Sequence, residues 1–142
     1  MIKLPKALTV KQKKEIQDLY FSFVESIDIR KFRSINRAID KQTKSLRKSK
    51  LAWERELILY IEAMHNLTED IIRDECVVCS FSESYIIAAV YYFVTMEDVI
   101  PDWHMNDGYL DDAYVVNLCL KKIDKRHLNK INQFVNNLKF RV

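Results

Sequence analysis

The sequence predicts an all-α fold, a compact bundle of about six or seven helices around a central apolar helix at about residues 83–94. Three observations carry that expectation. One glycine and two prolines in 142 residues are too few turn residues for an all-β chain. Apolar residues recur at steps of three and four along most of the length, which is the period of a helix with one buried face. The run from Tyr85 to Val94 is apolar on every side, the mark of a helix surrounded by others.

The elements follow in order. Thr9 and Gln12 have capping-box spacing, and Ile16, Leu19, Tyr20, Phe23 and Ile27 then share one face of a first helix. Asp28 is placed to cap a second helix, with Phe32, Ile35, Ile39 and Leu46 as a thinner apolar stripe under a basic surface. A third passes through Trp53, Leu57, Ile61 and Met64. Thr68, followed by Glu69 and Asp70, reads as an N-cap and acidic first turn, so a separate short helix is expected to carry Ile71, Ile72 and Cys76. Ser80 and Glu83 form a second capping-box match in front of the central helix. A break from Thr95 to Gly108 contains Pro101 and the glycine. A helix from about Tyr109 to Ile123 follows, and Asp124 then caps a last one with Leu128, Ile131, Phe134, Val135 and Leu138 inward.

No repeat, low-complexity tract or linker divides the chain, so residues 1–142 are expected to form a single helical domain with basic N-terminal helices over 9–50. The net charge of +3 conceals a sharp segregation. Residues 1–50 carry +9, residues 51–120 carry −12 and residues 121–142 carry +6. Two basic ends therefore flank an acidic middle, an arrangement suited to internal docking or to charge-complementary assembly. The ten-residue apolar run is about half the ~20 residues needed to span a bilayer, so no membrane span is expected. Three cysteines, Cys76, Cys79 and Cys119, and a start without an apolar signal-peptide core predict a reducing, cytoplasmic setting.

The stretch richest in chemistry is Asp98-Val99-Ile100-Pro101-Asp102, then Gly108, then the pair Asp111-Asp112. Together with the apolar helix before it, this stretch resembles the YkvA-like family of bacterial domains of unknown function. The matching positions are Asp98, Ile100, Pro101, Asp102, Gly108, Asp111 and Asp112; Met96 and Met105 stand where that family usually has proline. The resemblance covers residues 84–122. It implies a helical hairpin in a bacterial or phage protein, and no established reaction.

Two kinds of candidate site emerge. Arg30, Arg33, Arg37, Lys41, Lys44 and Lys48 recur at helical steps, with Lys31 and Arg47 beside them, and would line one face of a helix as a cationic stripe. Such a stripe suits an acidic protein partner, a second copy of the chain, or the phosphates of RNA or DNA. The aspartates Asp98, Asp102, Asp111 and Asp112, with Asp107 and His104 near them, are the candidates for a hard divalent cation, since carboxylate oxygens suit Mg²⁺ or Ca²⁺. The same residues also have a purely structural reading. Pro101 ends a hydrogen-bonded run, Gly108 permits a tight turn, and Asp111 and Asp112 favour the positive end of a helix.

Cys76-x-x-Cys79 has no second pair at zinc-binding spacing, and His65, His104 and His127 are too scattered to complete a tetrahedral set. No nucleophile stands in a recognisable catalytic context and no glycine-rich phosphate loop occurs. The expectation is a non-catalytic interaction module that needs no cofactor. RNA or DNA binding through the cationic stripe is the alternative, and a divalent-metal enzyme built on the aspartates a third.

Overall fold

The computed structural model describes residues 1–26, 38–44, 46–73, 81–95 and 109–139, apart from the side chains of 71–73. Among the described residues the fold is an all-α bundle without strands. The helices are α1 (Val10–Ser26), α2 (the helical residues 38–44 and 46–47), α3 (Ala52–Arg73), α4 (Phe81–Thr95), α5 (Leu110–Lys122) and α6 (Lys125–Lys139).

The helix α4 is central, as its all-round apolarity predicts. It packs against α1, α3 and α5, and Ile86, Ile87, Ala88, Ala89 and Val90 are buried on successive faces. Each large aliphatic side chain sealed in this way contributes ~1.5–3 kcal/mol through removal of apolar surface from water. Opposite it, α3 supplies Leu57, Ile58, Ile61 and Met64, all at or near zero exposure, and carries α6 on its other side. Aromatic edges fill the seam between α1 and α4. The Phe23 ring stands edge-on to Tyr91 at 5.0 Å between centroids, and the Tyr20 hydroxyl donates to the Tyr85 carbonyl at 2.7 Å.

The start of α1 is set by the expected capping box. The Thr9 hydroxyl accepts from the Gln12 amide at 3.1 Å, and the Gln12 side chain accepts from the Thr9 amide at 3.0 Å. Asp124 caps α6 as predicted, accepting from the His127 amide at 2.9 Å.

The break expected at Thr68 does not occur. The helix α3 runs unbroken through that position to Arg73, and Thr68 is fully buried. Its hydroxyl donates to the Met64 carbonyl one turn earlier at 2.7 Å, so the group read as a cap is satisfied inside a continuous helix. Glu69, read as part of an acidic first turn, instead sits one turn after His65, with Oε1 3.4 Å from Nε2. The expected cap residues Asp28 and Ser80, the side chains of Ile71 and Ile72, and Cys76 lie outside the described residues.

The N-terminal segment before α1 is held in place, a feature the periodicity does not reveal. Ile2 is buried, and Asn117 of α5 grips both backbone polar groups of that residue. The Asn117 Oδ1 accepts from the Ile2 amide at 2.9 Å while Nδ2 donates to the Ile2 carbonyl at 2.9 Å.

Candidate functional site

Of the predicted cationic stripe, Lys41, Lys44 and Lys48 are described, and all three are exposed, the first two on α2 and Lys48 in the turn just after it. The helix is amphipathic at this point because Ile39, Thr43 and Leu46 turn inward and leave the lysines outside. Arg30, Arg33 and Arg37 lie outside the described residues. Arg47, beside the stripe, is exposed but turned toward α3, where its guanidinium pairs with Glu62. One cation of the basic N-terminal part therefore docks on the acidic middle, while the three lysines face outward.

The same asymmetry holds across the described surface. Every described lysine and arginine side chain is exposed. Among the described acidic side chains, Glu15, Asp18, Glu25, Asp40, Asp70 and Asp124 are exposed, Glu54, Glu56, Glu62 and Glu69 are half-buried, and Glu83, Asp111 and Asp112 are buried. The described surface therefore exposes 17 lysines and arginines against six carboxylates, an excess of accessible positive charge.

Asp111 and Asp112 sit in the first turn of α5, with 0% and 4% of their surface exposed. The first free amides of a helix and its dipole favour carboxylates there. The Tyr92 hydroxyl of α4 also donates to Asp111 Oδ2 at 3.0 Å, tying the two helices of the hairpin together. Asp98, Pro101, Asp102 and Gly108 lie outside the described residues, as do Asp107 and His104. Among the described residues no group of three or more His, Cys, Asp or Glu side chains is placed to hold a metal ion.

A polar node joins the starts of α4 and α6. The Ser82 hydroxyl lies 3.2 Å from Asp124 Oδ2 as donor and accepts from the Asp124 amide at 3.0 Å. Asp124 Oδ1 lies 2.7 Å from His127 Nδ1, and His127 Nε2 lies 3.9 Å from Glu83 Oε1. Hydrogen bonds from the His127 amide and then its ring hold the Asp124 carboxyl down at about 2. Ser82 contacts the carboxylate and not the outer ring nitrogen, so this node lacks the nucleophile-to-base contact that activates a serine.

Cys119 is wholly buried beside Tyr20. Burial pushes its thiol up to about 12, against a lowering contribution from a hydrogen bond with Tyr20, which leaves it an inert core residue. Burial likewise drives the Tyr20 phenol well above the ordinary tyrosine range.

A cavity of about 650 Å³ opens where α2, α3 and α6 meet. Ile58, Leu59 and Leu138 give it an apolar floor, and Arg55, Lys139 and the Arg47–Glu62 pair form its rim. The sequence reading missed Arg55 and Lys139. The available signal was the isolation of Arg55, one of two basic residues in the acidic stretch 51–120.

No helix among the described residues is long and apolar enough to cross a membrane. No curated protein and no solved structure matches the chain. One family model does, described as "Protein of unknown function (DUF1232)", over residues 85–118. That stretch takes in most of α4 and of α5, so the hairpin at the centre of the bundle is the part of this chain that is similar to an uncharacterised domain.

Proposed function

We propose that the chain is a non-catalytic helical interaction module, one domain over residues 1–142, that presents cationic surface to an acidic protein partner. The observation that carries this reading is the contrast, among the described residues, between lysines and arginines that are all exposed and carboxylates of which about half are half-buried or buried. Cationic surface of this kind speeds association with anionic partners and sets their orientation. The YkvA-like resemblance of the hairpin supports a bacterial or phage protein, and the cysteine usage supports a cytoplasmic setting. Charge reversal at Lys41, Lys44 and Lys48 to Glu tests the reading. Retention of a partner that co-purifies from the native host should be lost while circular dichroism stays unchanged. Undiminished retention by the folded variant rejects it.

The same exposed lysines favour a second reading, in which the stripe that Arg30, Arg33 and Arg37 extend in sequence tracks the phosphates of RNA or DNA. Fluorescence anisotropy with labelled RNA and DNA at ~0.05 and ~0.2 M salt separates the two, because release of condensed counterions makes phosphate binding fall by orders of magnitude over that range. Absence of binding at the lower salt removes the nucleic-acid reading.

A further inference from the structure

We infer that the groove between α2, α3 and α6 receives a short acidic helical segment of a partner protein, with two carboxylates about two helical turns apart flanking apolar side chains. This rests on the protein-interaction reading and assigns that reading a specific seat. Three features of the groove support it. The floor is apolar, formed by the buried Ile58, the half-buried Leu59 and, from α6, Leu138. Its rim is cationic at separated points. Arg55 stands at one end of the α3 floor, and Arg47 reaches the other end through Glu62, seven residues further along. Seven residues of helix measure roughly 10 Å at ~1.5 Å per residue. Among the described lining residues the one carboxylate, Glu62, is already paired with Arg47, so those residues offer an incoming acid net positive charge.

The spacing decides among anionic ligands. A guanidinium has five N–H donors, so Arg47 retains donors for a second carboxylate while holding Glu62. A ligand with one head group and a long tail would use one end of this rim and leave the other cation unmatched. A helix with glutamates at positions i and i+7 and leucines at i+3 and i+4 matches both ends and the floor together, the usual way that an amphipathic helix enters a groove. The volume of about 650 Å³ lies within the range of ordinary binding clefts, ~300–1,000 Å³.

The test uses the full chain and a fluorescein-labelled 14-residue peptide bearing Glu-x-x-Leu-Leu-x-x-Glu on an Ala/Gln background, followed by anisotropy at ~0.05 M salt. The expected result is saturable binding that weakens at least tenfold in Arg55→Glu combined with Lys139→Glu, and again when the two peptide glutamates become glutamine. Arg55 also donates to the Ser49 carbonyl at 2.7 Å. Lys139→Glu alone and Leu138→Ser therefore serve as second variants that leave that contact intact, and each should weaken binding at least threefold. No binding by the wild type, or binding indifferent to Arg55, Lys139 and Leu138, overturns the inference. So does tighter binding of a labelled 14-nucleotide RNA, or of dodecanoate, through the same side chains. If the peptide fails while a host partner is still retained through Lys41, Lys44 and Lys48, the groove assignment falls and the interaction reading stands. If both fail, both fall.

Discussion

Replacing Asn117 with alanine should detach the N-terminal segment from α5 at a cost that can be worked from two bonds. The side chain accepts from the Ile2 amide and donates to the Ile2 carbonyl, each at 2.9 Å. A net contribution of ~1 kcal/mol per hydrogen bond gives ~2 kcal/mol for the pair. The further loss from exposing Ile2, ~2 kcal/mol, is offset by the chain entropy that the freed residues regain at ~1–2 kcal/mol each. The expected destabilisation is therefore about 2 kcal/mol and not the sum of all the contacts. Urea unfolding followed by circular dichroism reads it. With a slope of about 2 kcal/mol per molar, the midpoint should fall by roughly 1 M. Hydrogen exchange at the Ile2 amide should become fast well before global unfolding. Asn117→Asp keeps the acceptor for the Ile2 amide but sets a carboxylate against the Ile2 carbonyl, so it should not restore stability. A midpoint within ~0.25 M of wild type, with the Ile2 amide still protected, would refute the view that this side chain fastens the segment.

Three further outcomes are expected. Stability should hold up to the ordinary thiol range near 9 and then decline as pH rises toward 12, because the unfolded chain releases the Cys119 proton earlier than the folded one does. Tyr20 acts in the same direction, and a flat stability profile between pH 9 and 11 would contradict both burials. The Asp124 carboxyl should titrate near 2 by NMR; its stabilising effect is present above 3.8 and lost as pH falls toward 2, and Asp124→Ala should lower the thermal midpoint more than Asp124→Asn does. Tyr92→Phe removes one donor from the buried Asp111 and should cost ~1–3 kcal/mol in a denaturant melt, so a change below ~0.5 kcal/mol would show that this bond is dispensable.

The fold was legible where the information is local. The Thr9–Gln12 box, the Asp124 cap and the all-round apolarity of α4 each depend on residues within a turn or two of one another, and each appears as read. Thr68 was misread for an instructive reason. A threonine followed by two acids is the same string whether its hydroxyl accepts from the next turn or donates to the previous one. The choice was settled by burial against the core, which a local pattern does not encode. The Asn117–Ile2 grip joins positions 115 residues apart and left no trace in periodicity. Charge spacing pointed to Lys41, Lys44 and Lys48, which are exposed, but the groove beside them left no such sign, because Arg47, Arg55 and Lys139 come together only when α6 lies along α3.

The described residues that line the groove come from 47–62 and 138–139, outside the matched stretch 85–118. The recognisable hairpin and the proposed recognition surface are therefore separable parts of one molecule, the first setting the scaffold and the second set by the flanking helices. On that proposal, substitutions on α3 and at the end of α6 redirect docking while the hairpin stays as it is. Two chains with matching hairpins need not share a partner, and shared partners are better sought by comparing positions equivalent to Arg55, Leu138 and Lys139.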